Sequence, residues 1–101
     1  VDRTGLPIYI TENGVATMDE ALRNRYFCEH VRHCHAAITQ GVDVRGYFYW
    51  SLLDNFEFGE GLTKKFGLLS VDFNDKERFR RTRPIAHLYS RIAGRNGTSE
   101  T

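Results

Sequence analysis

Three side chains in this 101-residue sequence stand where chemistry is done in α/β folds: Glu12, Trp50 and Glu57. Glu12 closes the β-branched and aromatic run Ile8-Tyr9-Ile10-Thr11. Trp50 closes a second such run, Gly46-Tyr47-Phe48-Tyr49, and Glu57 follows in the loop just beyond it. Ligands bind outside the carboxyl ends of buried strands in such folds. Carboxylates there accept hydrogen bonds from hydroxyl groups, and an indole face stacks on the apolar C–H face of a pyranose. The pattern therefore points to a sugar. Each residue also has a plain structural reading: Glu12 as a carboxylate on turn amides, Trp50 as core, Glu57 as a solvated loop charge.

A second group, His30, His33, Cys34 and His35, suggests a metal. On a helix His30 and Cys34 share a face, whereas His33 and His35 point elsewhere. Cys34 also falls on an apolar stripe. An amphipathic helix accounts for the group better than a metal site does.

The elements that must position these residues follow from periodicity. Residues 6–11 read as a short buried strand, and Glu12-Asn13-Gly14 as a turn. Residues 18–40 read as a helix with Asp19 and Glu20 in its first turn and Gly41 as its stop. Phe27, Val31, Cys34 and Ile38 form its apolar stripe, and Arg23, Arg32 and Gln40 its opposite face. A second strand covers 46–51, a polar loop 54–62 and an extended piece 66–73. Pro84 opens a second helix with Ile85, Leu88, Tyr89 and Ile92 as its stripe. The residues 76–83 read as a solvated, basic approach to that helix, and the tail 94–101 as flexible. Strand, helix, strand, loop, helix suits a parallel βα repeat, so the fold class is α/β. Two principal strands cannot close a barrel or bury both faces of a sheet, so the chain reads as part of something larger.

Composition narrows the partners. A content of 41% hydrophobic and 13% aromatic residues supports a packed core. Lys and Arg number 14 against 13 Asp and Glu, a net charge of +1, which argues against nucleic acid or an anionic membrane as partner. No stretch reaches the roughly 20 apolar residues of a membrane span. Cys28 and Cys34, six apart on one helix, are separated by roughly 9 Å of rise and cannot bridge. Reduced thiols fit a cytoplasmic protein.

Three motifs sharpen this reading. Ile10-Thr11-Glu12-Asn13-Gly14 resembles the nucleophile motif of family-1 glycoside hydrolases, the retaining β-glucosidase and β-galactosidase group. Trp50-Ser51-Leu52-Leu53-Asp54-Asn55-Phe56-Glu57 is similar to a second segment of that family, and Lys65-Phe66-Gly67-Leu68 to a third. The resemblance implies the last two βα units of a (β/α)8 barrel, with residues 1–101 as the C-terminal portion of one catalytic domain. It implies Glu12 as the nucleophile and Trp50 as the stacking platform. By the same resemblance Glu57 holds sugar hydroxyls, and Phe58 and Phe66 complete the substrate-binding set. Phe58 stands where the family commonly has tryptophan, which removes one N–H donor. No metal or organic cofactor is implied. The partners implied are a β-glycoside substrate and the N-terminal part of the same barrel, because the family's Asn-Glu-Pro acid/base motif does not occur in the chain. Two further readings compete. A 6-phospho-β-glycosidase of the same family typically carries serine in place of Glu57, since a carboxylate repels phosphate. A non-catalytic sugar-binding relative, or an inactive fragment, is the other.

Overall fold

The computed structural model describes residues 4–97. In chain order the elements are β1 (Ile8–Asn13), α1 (Glu20–Thr39), β2 (Val44–Tyr49), a 3-10 turn (Phe58–Glu60), β3 (Leu69–Val71), β4 (Arg80–Thr82) and α2 (Pro84–Arg95). β1 and β2 pair in parallel across the α1 crossover, and β3 and β4 form a separate antiparallel pair. The α/β class expected from periodicity is what the chain adopts.

α1 begins where Asp19 takes an extended conformation and its carboxylate accepts from the Leu22 N–H at 3.1 Å. That bond satisfies one of the donors a helix start leaves without a partner. α2 begins at Pro84, whose missing N–H costs nothing at the first helical position. It ends at Asn96, left-handed at φ 54°, with the Gly97 N–H returning to the Ile92 carbonyl at 3.2 Å.

Both helices pack on one face of the β1–β2 pair. Phe27, Leu68 and Ile85 are the buried apolar residues among those described, with Val31, Tyr47, Tyr49, Leu88, Tyr89 and Ile92 packed around them. The expected stripes therefore meet over β2, but that of α1 is covered only in its first half, since Ile38 is 47% exposed. The opposite sheet face is open: Tyr9 and Phe48 stand on it, 57% and 55% exposed.

Several expectations need correction. β1 runs through Glu12 to Asn13 rather than stopping at residue 11, because Asn13 pairs with Tyr49. The residues 76–83, expected as a solvated approach to a helix, contain β4, which pairs with β3 over Leu69 to Val71. The Arg-rich composition hid it, since all of β4 is exposed and its ladder lies with a distant segment. Arg23, assigned to the solvent face of α1, is fully buried. Its guanidinium donates to the carbonyls of Val15 at 3.1 Å and Lys65 at 3.0 Å, and also to that of Thr17. Three loop carbonyls that lack strand partners replace water around the cation, which is why it stays inside.

Asp54 and Arg83 make a second buried tie. Asp54 is 4% and Arg83 7% exposed, and the two meet through paired 2.8 Å hydrogen bonds. The Gly67 N–H donates to the same carboxylate at 2.9 Å, and Arg83 donates to the Gly67 carbonyl at 2.7 Å. A Cβ on Gly67 would sit 2.4 Å from the Asp54 nitrogen, so only glycine lets these segments lie together. Burial by itself would raise the Asp54 carboxyl. The Arg83 guanidinium and the amides of Gly67 and Val71 outweigh it and hold the carboxyl below its ordinary value. A lowered folded value stabilises the protein above the unfolded pKa, about 3.9, and loses that stabilisation as pH falls through the folded value. In a complete barrel carrying this chain, Asp54→Asn is therefore expected to reduce stability by about 3–5 kcal/mol near neutrality, because it leaves a buried guanidinium short of its partner. The difference from wild type, followed by urea unfolding, should shrink below about pH 4.

Candidate active site

Glu12 reaches its place through an irregularity in β1. Ile10 pairs with Tyr47 and Asn13 with Tyr49, so β1 advances three residues while β2 advances two. Strict alternation would put Glu12 on the helix-covered face with Ile8 and Ile10. The extra residue breaks the alternation, and Thr11 and Glu12 are both exposed. Bulges of this kind re-aim side chains at strand ends. Asn13 takes the covered side instead. Its Nδ2 donates to the Tyr26 hydroxyl at 3.3 Å, and its Oδ1 accepts from the Tyr47 hydroxyl. Burial pushes the Tyr47 hydroxyl well above its ordinary pKa, so it keeps the proton it donates.

Trp50 follows the end of β2, its N–H donating to the Asn13 carbonyl at 2.9 Å. Gly14 lies against it so closely that a Cβ would fall 2.0 Å from the Trp50 carbonyl oxygen. The peptide bond between Trp50 and Ser51 is cis. Ser51 is anchored in turn, its N–H to the Phe66 carbonyl at 3.4 Å and its carbonyl to the Leu68 N–H at 2.8 Å. Beyond it Glu57 is held by a tight loop, with its N–H on the Gly61 carbonyl at 2.7 Å and Gly61 at φ 63°.

These elements bring Glu12, Trp50 and Glu57 to one open cleft of about 280 Å³, whose other walls are Asn13, Gly14 and Tyr26. Two carboxylates and an indole converge there without an apolar lid. Phe66 lies outside the lining, half-buried beside Ser51, and Phe58 lies in the 3-10 turn, 85% exposed. The His30 ring stacks on Tyr26 at 4.0 Å, and its Nδ1 lies 2.8 Å from the Tyr26 carbonyl oxygen. His33 and His35 are exposed, and burial raises the Cys34 thiol. A larger cavity of about 370 Å³ opens between the two helices over β2, lined by Phe27, Val31, Cys34, Tyr89 and Ile92. None of the expected site residues borders it.

Asn13, Gly14 and Tyr26 were not among the expected site residues. The dipeptide Asn13-Gly14 reads as a turn, and Tyr26 flanks the apolar stripe without belonging to it. Only the bulge and the close approach of Trp50 give them their places. Gly14→Ala is expected to push the Trp50 backbone aside by about 1 Å or more. On the glycosidase reading that the motifs imply, kcat/KM on an aryl β-glucoside in a complete barrel carrying this chain should fall on the order of 100-fold. Steady-state kinetics alongside far-ultraviolet circular dichroism would check it.

The family described as glycosyl hydrolase family 1 matches residues 2–98. Among curated proteins, the chain is 43% identical over 99 residues to a β-galactosidase of Sulfolobus acidocaldarius, covering 98% of this chain and 20% of the relative. It is 46% identical over 92 residues to a β-galactosidase of Saccharolobus solfataricus, covering 91% of this chain and 18% of the relative. Among solved structures, a β-glycosidase from Pyrococcus horikoshii superposes with a TM-score of 0.85 at 48% identity, over 90% of this chain and 21% of that one. A β-glucosidase from Thermotoga maritima in complex with glucoimidazole gives 0.87 at 37% identity, over 92% of this chain and 23% of that one. The chain spans about a fifth of the length of the curated relatives it matches. With a family match over nearly its whole length and a cleft built from the motif residues, this chain belongs to glycosyl hydrolase family 1.

Proposed function

We propose that this chain supplies the last two βα units of a (β/α)8 barrel that hydrolyses β-linked glycosides with retention of configuration. The observation that carries the proposal is the convergence of Glu12, Trp50 and Glu57 on one cleft at the carboxyl ends of two parallel strands. Glu12 is the nucleophile: its carboxylate attacks the anomeric carbon, the glycosidic oxygen leaves, and a covalent glycosyl-enzyme forms. A second carboxyl, contributed by the rest of the barrel at roughly 5–5.5 Å, protonates the leaving oxygen and then deprotonates the incoming water. Trp50 stacks under the sugar ring and Glu57 accepts hydrogen bonds from its hydroxyls, with Phe58 and Phe66 flanking the bound sugar once the barrel is complete. The reaction needs only the two carboxyls, so no metal or organic cofactor is assigned a part.

The test is the configuration of the first product. A complete barrel carrying this chain, given an aryl β-glucoside in a proton magnetic resonance tube, should release the β-anomer before mutarotation sets in. Initial release of the α-anomer would sink the proposal. The carboxylate of Glu57 in the cleft also favours neutral sugars over 6-phosphorylated ones, since like charges at contact distance repel. We expect kcat/KM on an aryl β-glucoside to exceed that on its 6-phosphate by at least about tenfold, near the 1.4 kcal/mol that one screened repulsion is worth. A preference for the phosphorylated substrate would return the 6-phospho-β-glycosidase reading.

A further inference from the structure

Asn13 makes more directed contacts than any other side chain lining the cleft. Its two amide atoms meet the hydroxyls of Tyr26 and Tyr47, and the main-chain carbonyl of the same residue receives the Trp50 backbone N–H at 2.9 Å. Both hydroxyls sit on rings with packing partners of their own. Tyr47 packs edge-on against the buried Phe27 ring at 6.0 Å, and Tyr26 stacks on His30. The acceptor and donor ends of the amide are thus matched to a donor from β2 and an acceptor from α1. Aspartate at this position could still accept from both hydroxyls, since a phenol donates as well as accepts, whereas alanine would satisfy neither.

This clamp sits at the end of the bulge that turns Glu12 outward. Glu12 precedes Asn13 directly, so fixing the Asn13 side chain on the covered face fixes the side of the strand from which the Glu12 carboxylate projects. Without the clamp, strict alternation is a competing register that would carry Glu12 toward the helices. We infer that Asn13 is a positioning residue for Glu12, held between Tyr47 and Tyr26 so that the bulge keeps the carboxylate in the cleft; the inference rests on Glu12 being the nucleophile.

The experiment measures the nucleophile's own step. A 2-deoxy-2-fluoro-β-glucoside with an activated aryloxide leaving group forms the bond between the anomeric carbon and the attacking carboxylate, expels aryloxide, and then turns over slowly. In a complete barrel carrying this chain, the wild type, Asn13→Ala and Tyr47→Phe are treated with this reagent. Peptide mass mapping identifies the labelled residue, and a reversible sugar-mimicking inhibitor reads the integrity of the cleft. Tyr47→Phe keeps the ring in the core, so it tests the clamp even where Asn13→Ala folds poorly. Expected are a label on Glu12 and inactivation constants on the order of 10- to 100-fold lower in both variants, because misplacement by about 1 Å slows a reaction that much. Affinity for the reversible inhibitor should stay within about threefold, or well under 1 kcal/mol. A label on Glu12 with unchanged inactivation in Tyr47→Phe overturns the positioning role. So does an equal loss of inhibitor affinity and inactivation, which marks general collapse of the cleft. A wild-type label on another residue overturns the reading of Glu12 itself.

Discussion

Glu12→Ala, made in a complete barrel carrying this chain, is expected to lower kcat by at least about 10⁴-fold, because no covalent intermediate can form without the carboxylate. The fold should be nearly untouched. Glu12 is exposed, and substitutions at such positions usually move stability by about 0.5 kcal/mol or less. Azide supplies the decisive control. With an activated aryl β-glucoside it enters the space the carboxylate left, attacks the anomeric carbon from that face and displaces the aryloxide. The product is the α-glycosyl azide, inverted relative to the substrate, and the rate should rise with azide concentration. Near-normal turnover by the mutant without azide would remove Glu12 from the mechanism. Rescue yielding the β-azide would place the nucleophile elsewhere.

The chain made alone is expected to hydrolyse no β-glucoside and to form no stable monomer. Its accessible surface is 7113 Å², whereas a monomer of this mass exposes about 5,900 Å² by the usual scaling, an excess of about 1,200 Å². Its radius of gyration is 15.3 Å against about 12.7 Å for a compact domain of 101 residues. The apolar side chains more than half exposed include Leu6, Tyr9, Phe48, Leu52 and Phe56. Burying one such side chain is worth about 1.5–3 kcal/mol, and whole domains are stable by only about 5–15 kcal/mol. Leaving several in water removes the margin. The β1–β2 pair also has two strand edges without partners in the described residues, and a pair of strands with one face covered is marginal in water. On the proposed function, the N-terminal part of the barrel would cover the open face and bring the acid/base. Mixing the two parts should restore a sedimenting monomer, a cooperative urea transition and turnover. A compact monomer from the 101-residue chain alone, unfolding cooperatively, would refute the stability argument. Turnover by it that depends on Glu12 would refute the need for the remaining strands.

Both predictions draw on residues that the sequence already singles out. Glu12 and Trp50 are picked out because each closes a β-branched and aromatic run, and Glu57 because it lies in the loop beyond the second; the structure brings the three to one cleft. The starts of both helices are equally legible. Asp19 caps α1 through a bond that reaches only three residues along the chain, and Pro84 suits the first position of α2 by its own ring and missing N–H. The apolar stripe of α2 carries its own period, so it packs where its spacing says it should.

The tertiary structure decided what depends on distant segments. Nothing near residue 23 says that Arg23 turns inward, because the carbonyls that hold it belong to residues 15, 17 and 65. Asp54 and Arg83 become a buried pair only when the loop after β2 meets the start of α2. β4 pairs with β3 although its own residues are arginine, arginine and threonine, since a backbone ladder asks little of exposed side chains. The bulge that aims Glu12 is likewise a property of two strands in register and not of one. A local sequence states which residues prefer a strand and which can do chemistry. Which side of the strand the carboxylate leaves from is set by Asn13 and the two tyrosines that α1 and β2 bring to meet it.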